Sequence, residues 1–345
     1  MKKVLIYVLL FLVFGARGQN VSDTIKWQNF DQVRELFYKK NKPILIYLYT
    51  DNCDSCQMMQ KECFDNSEVA RYINFYFYPI KLNAYSYDTV IFFNGEKFIH
   101  HPGHQFHSLI TVFMKDSLSF PALVMFNKYG QGQVFYGFRD RDHIFPILIY
   151  YAEEIYTTAN YPDFEKVYFK TYPPGLTQIF SRLNIHWKNL EDLDSLLKRS
   201  KKLIFIDVYD RLRVSTTIMR MQVYNNPIIA NYMNKHFYPI TVEARWQDTL
   251  VFNNEKYGPS QKYPFHNLAI KLLNGRMKFP AFLIFDENYN LLNKEQIFLL
   301  PEDFYRLITY FGDEYYKEMD FKTYLQKYND QLQTDIEKIR AYYRK

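Results

Sequence analysis

Tyr49-Thr-Asp-Asn-Cys53-Asp-Ser-Cys56 lies between an apolar run, Pro43-Ile-Leu-Ile-Tyr-Leu-Tyr49, and a helix-compatible run, Gln57-Met-Met-Gln-Lys-Glu-Cys-Phe64. The first run reads as a buried strand and the second as a helix, so the Cys-x-x-Cys falls at a strand-to-helix turn. That order predicts Cys53 at a helix N-terminus, where unpaired N–H groups and the macrodipole favour a thiolate. Cys56, three residues on, shares the helical face of Cys53 and is placed to resolve a mixed disulfide.

Outward from this turn the chain repeats itself. At a spacing of 160 residues Trp27 matches Trp187, Tyr49 matches Tyr209, Phe77-Tyr-Pro-Ile80 matches Phe237-Tyr-Pro-Ile240, and Phe92 matches Phe252. One residue is then lost, and Phe106-His107 pairs with Phe265-His266 and Phe120-Pro-Ala122 with Phe279-Pro-Ala281. Register kept over so long a span predicts a duplicated domain. Each copy reads as an amphipathic helix, a buried strand, a helix-bearing turn, a second strand over Tyr76–Leu82, a long loop over Asn83–Phe106, and a helix starting near His107. Strands at Ala122–Phe126 and Gln133–Phe138 and a last helix over His143–Tyr156 complete copy one. A helix near Ser67 is expected to be capped by that hydroxyl. Alternating strands and helices predict an α/β fold, a central mixed sheet flanked by helices in each copy. The expected domains are 19–160 and 179–318, joined by a linker over 161–178 and followed by a solvated helical tail over 319–345.

The first residues read as an address. Met1-Lys-Lys is basic, Val4–Phe14 is an unbroken apolar run, and Ala16-Arg17-Gly18 offers small residues for cleavage. Residues 1–18 are therefore expected to be a secretory signal peptide. Eleven helical residues reach about 17 Å against roughly 30 Å of hydrocarbon, so a stable membrane span is not expected. Removing Lys2, Lys3 and Arg17 from 43 basic and 37 acidic residues leaves a net charge of about +3. That is too small a balance to argue for nucleic acid. In an exported, oxidising setting a paired Cys53–Cys56 is chemically natural.

At this point the residues resemble the thioredoxin superfamily, and more narrowly exported bacterial thioredoxin-like proteins. The resemblance rests on the strand, Cys53-Asp-Ser-Cys56-Gln-Met-Met, and Phe64-Asp-Asn-Ser-Glu-Val69. Phe120-Pro121-Ala122, with Pro280 as its counterpart, matches the family's strand-opening proline. The resemblance implies two tandem thioredoxin-like domains, with Cys53 as nucleophile and Cys56 as resolving thiol. It further implies a cis Pro121 that with Phe120 keeps a peptide groove open beside the sulfur. Partners would be protein thiols and disulfides, and with the cysteines carrying the electrons no small cofactor is called for. Two departures stand out: Asn52 replaces the aromatic residue common before the first cysteine, and Tyr47 replaces the buried acid. Copy two has Asp207 at the acid's place but Arg213 and Thr216 where the cysteines would be, so it is expected to be redox-dead.

Asp54 puts a negative charge beside the thiol, which disfavours ionisation and points to a reductase or isomerase rather than a strong oxidase. Cys63 reads as a small buried hydrophobe. His100, His101, His104 and His107 read as polar loop and helix cap, with a metal site as the sharper alternative. A partner-binding tail is the rival reading of the C-terminal charges. A different class of function stays open: a non-enzymatic envelope binding or scaffold protein in which the Cys pair is structural.

Overall fold

The computed structural model describes residues 24–37, 39–115, 117–175 and 183–344. The expected signal peptide lies outside the described residues. Two compact units divide between Glu154 and Ile155.

In the first unit the order is α1 (Phe30–Phe37), β1 (Ile44–Tyr49), α2 (Asp54–Met59), α3 (Ser67–Tyr76) and β2 (Tyr78–Asn83). A small hairpin follows, β3 (Val90–Ile91) and β4 (Lys97–Phe98), then α4 (Ser108–Phe113), β5 (Ala122–Phe126), β6 (Gly132–Tyr136) and α5 (Arg141–Ala152). The sheet order is β2-β1-β5-β6. β1 pairs parallel to β2 and antiparallel to β5, so the sheet is mixed. Both faces of β1 are covered: Ile44, Ile46 and Leu48 enter one core with Val33, Ile80 and Leu109, and Leu45 and Tyr47 are buried on the other side. A strand buried on both faces is written as a continuous apolar run rather than an alternating one, which is why this stretch was legible. The cap of α3 is Asn66, whose Oδ1 accepts from the N–H groups of Glu68 and Val69; Ser67 is the first helical residue instead. Asparagine and serine cap about equally well, so local sequence could not separate the two.

The second unit comprises α6 (Tyr161–Thr171), α7 (Leu193–Arg199), β7 (Leu203–Tyr209), α8 (Val214–Ile218), α9 (Pro227–His236) and β8 (Phe237–Glu243). Next come β9 (Leu250–Phe252), β10 (Glu255–Tyr257), α10 (Asn267–Leu272), β11 (Ala281–Phe285), β12 (Leu291–Glu295), α11 (Pro301–Gly312) and α12 (Phe321–Arg344). Its sheet runs β8-β7-β11-β12, the same order as the first. Register agrees as well: Ile204 faces Tyr238 as Ile44 faces Tyr78.

Two expectations change here. The stretch read as a linker is helical over Tyr161–Thr171, with Phe164 fully buried against Phe298. Pro162 sits in the first turn of α6, where a missing N–H costs nothing. The tail is helical as expected, but one face is buried rather than solvated. Tyr324, Ile336 and Ile339 are inside, Asp335 accepts from Tyr305, and the Tyr343 hydroxyl donates to Gln222 O at 2.7 Å. Among the described residues no helix is long and apolar enough to cross a membrane.

Candidate functional site

Cys53 is the N-cap of α2, with extended backbone (φ −131°, ψ 103°), and its carbonyl accepts from the N–H groups of Cys56 and Gln57. Its sulfur also accepts from the Cys56 N–H at 3.1 Å. The helix continues as a π-helical turn over Gln60–Phe64. Cys53 and Cys56 are joined in a disulfide, with Cα atoms 5.1 Å apart. Cys53 is partly exposed and Cys56 is buried, so Cys53 is the sulfur of the pair that solvent reaches. Asp54 is exposed beside them.

The Phe120–Pro121 bond is cis, as is Phe279–Pro280. Ser55, which sequence reasoning passed over, links the two motifs: its hydroxyl donates to Phe120 O at 3.2 Å and lies 3.4 Å from the Cys53 sulfur. The turn is held from the other side by Asn83, whose Nδ2 donates to Asp51 at 2.7 Å. Both links join residues far apart in sequence, and nothing local signals them.

Beneath the helix Tyr47 takes the acid's place. It is buried among Trp27, Tyr49 and Phe64, and its hydroxyl donates to Cys56 O at 3.0 Å. Burial, with Tyr49 and Cys63 nearby, raises the Tyr47 pKa, so the phenol stays neutral. Cys63 is fully buried and its thiol is likewise pushed up by burial and by Asp140, in keeping with an inert hydrophobe. His107 caps α4: Nδ1 accepts from the Leu109 N–H and Nε2 therefore donates to Asp88 O at 3.0 Å. Burial lowers its pKa, holding the ring neutral for both bonds. His266 repeats the arrangement with Leu268 and Asp248. The His100 ring nitrogens face the carbonyls of Ser86 and His104.

In the second unit Arg213 stands at the N-cap without a side-chain capping bond, and Thr216 is buried where Cys56 would be. Asp207 is 1% exposed and burial pushes it up to about 7, opposed by Arg220 at 3.4 Å. No thiol accompanies it.

Residues 17–90 match the family described as "Thioredox_DsbH: Protein of unknown function, DUF255". No curated protein matches. Among solved structures the chain is similar to a "DsbH Oxidoreductase" at 17% identity and TM-score 0.27, covering 36% of this chain and 83% of that one. It is also similar to a thioredoxin-fold protein from Helicobacter pylori at 16% identity and TM-score 0.31, covering 43% and 88%. A third similarity is to full-length ERdj5, at 9% identity and TM-score 0.28, covering 80% and 30%. The family match covers residues 17–90 alone, while the mixed sheets, helix-capping Cys-x-x-Cys and strand-opening cis prolines give the chain the fold of two tandem thioredoxin-like domains, of which the second lacks the Cys pair.

Proposed function

We propose that the protein is an exported thiol–disulfide oxidoreductase, of reductase or isomerase type, that acts on protein disulfides through Cys53 and Cys56. In the reducing direction the Cys53 thiolate attacks a substrate disulfide and bonds one sulfur, while the other leaves as a thiolate and takes a proton. The Cys56 thiol then loses its proton and attacks the Cys53 sulfur. This closes the Cys53–Cys56 disulfide and releases the second substrate thiol. Two electrons pass from the Cys pair to the substrate, and a dithiol donor returns them. Phe120 and Pro121 border the peptide groove, and Asp54 weakens the thiolate and with it the oxidant strength. The second domain supports the fold or holds substrate.

One observation carries this reading. The second unit builds the same sheet order and register, the same asparagine cap (Asn226 for Asn66) and the same π-helical turn with no cysteine present. The frame stands without a staple at that position, which supports a use for the disulfide of the first unit other than holding the fold. The scaffold reading makes the opposite demand. Wild type and Cys53→Ser are compared for reduction of a protein disulfide and for thermal midpoint. Lost turnover with little change in midpoint supports the oxidoreductase; no turnover in either protein, with a lowered midpoint in the variant, supports the scaffold.

A further inference from the structure

Three rings run in a row from the redox turn. Phe120, whose carbonyl Ser55 holds, packs against Phe106 with centroids 5.7 Å apart, and Phe106 packs against Tyr85 at 5.3 Å. Tyr85 is 41% exposed, and the other two are partly so. The far end is tied back to the same turn: the Tyr85 N–H donates to Asn83 Oδ1, and Asn83 Nδ2 donates to Asp51, two residues before Cys53. The row is thus anchored at both ends to the loop that carries the disulfide.

The second unit provides an internal comparison. Phe265 and Phe279 repeat the inner pair at 5.9 Å. At the position of Tyr85 stands Arg245. Its guanidinium lies 4.6 Å over the Phe265 ring, and its Nε and Nη2 donate to Asp210 at 3.0 and 3.1 Å. Asp210 is 2% exposed and occupies the place of Thr50. In the copy without thiols an internal ion pair therefore caps the rings. In the copy with thiols both partners of that pair are replaced, and the row ends in an open ring.

An exposed ring at the end of an offset row is a ready surface for another ring, whose edge or face it receives at 4.5–7 Å. Asp51 and Asp54 are both exposed on the turn, so the field around Cys53 suits basic rather than acidic neighbours. The three centroids span at most about 11 Å, the reach of roughly three extended residues.

We propose that Tyr85, Phe106 and Phe120 form a specificity subsite for a Phe, Tyr or Trp side chain within about three residues of the reacting cysteine in an extended, basic-flanked substrate segment. This rests on the oxidoreductase reading of Cys53 and Cys56.

The test uses the full-length protein and Lys-flanked peptides carrying Phe or Ala two residues from a central position. With serine at the centre, binding to the oxidised protein is measured by fluorescence anisotropy and reads the subsite without sulfur chemistry. With a glutathione-capped cysteine at the centre, exchange with the reduced protein reads the chemistry. The Phe peptide is expected to be favoured about 3- to 10-fold in both assays. The ratio should survive in Tyr85→Phe and fall to about 1 in Tyr85→Ala and in the Thr50→Asp/Tyr85→Arg double variant, which rebuilds the cap of the second unit. Equal binding of Phe and Ala peptides by wild type, or an unchanged preference in Tyr85→Ala, overturns the subsite. A Phe preference in binding with no exchange for either peptide supports the subsite and counts against the oxidoreductase.

Discussion

Replacing Asp207 by Asn should stabilise the second domain at neutral and higher pH while leaving it unchanged near pH 4. The carboxyl lies on β7 in the core, with neither oxygen hydrogen-bonded. Arg220 approaches to 3.4 Å without hydrogen-bond geometry, its guanidinium lying 4.0 Å over the Tyr209 ring. Burial moves the carboxyl from 3.8 up to about 7, the attraction of Arg220 only partly opposing it. An unfolded Asp titrates near 3.9, so between about pH 4 and 7 the folded chain keeps a proton that the unfolded chain has released. Stability therefore falls as pH rises through that window and levels off above it. The ionised form costs roughly 4 kcal/mol at pH 8. Asn keeps the shape and removes that cost, in which the attraction of Arg220 is already included, so a net gain on the order of 4 kcal/mol at pH 8 is expected. His266 works in the opposite sense, because burial lowers its pKa and its contribution grows with pH, but it is common to both proteins and cancels in the difference. The assay is urea unfolding of the oxidised full chain in a Trp27→Phe background, so that fluorescence reports Trp187 and Trp246 alone. Parallel stability curves for the two proteins from pH 4 to 8 would refute the reasoning.

Two further outcomes are expected. Asp54→Asn removes a negative charge next to Cys53 and should raise the reduction potential by on the order of 10–20 mV, with the wild type well below −120 mV; equilibration with glutathione measures both, and a wild-type value near −120 mV would exclude the reductase or isomerase assignment. His107→Ala loses the α4 cap and leaves Asp88 O without its donor, costing about 2–3 kcal/mol in urea unfolding with thiol exchange retained; zinc or copper binding tighter than micromolar in wild type and lost in the variant would show a ligand rather than a cap.

The parts legible in sequence were those encoded by neighbours in the chain. The continuous apolar run Ile44–Tyr49 announced a strand with both faces covered, and the Cys-x-x-Cys after it fixed where a helix begins. The 160-residue spacing carried the second sheet, which has the register of the first. Misreadings came where one local signal serves two structures. Proline at the start of α6 looks like a break in a linker, and the polar residues of α12 conceal the spacing of Tyr324, Ile336 and Ile339 on its buried face. The Ser55–Phe120, Asp51–Asn83 and Tyr85–Phe106 contacts join segments that meet only in the folded state. The one sequence trace they leave is a difference between the copies, Thr50 and Tyr85 against Asp210 and Arg245, and it becomes meaningful once the ion pair is seen.

The central claim is that Cys53 meets substrate sulfur and Cys56 resolves the product. Cys56→Ser blocks the second step alone, so the full-length variant incubated with oxidised envelope proteins should accumulate a species whose mass equals the sum of two chains and which thiol reductant separates, with Cys53 as the linked residue on peptide mapping. A Cys56→Ser protein that forms no such adduct, or one linked through Cys63, would contradict the account.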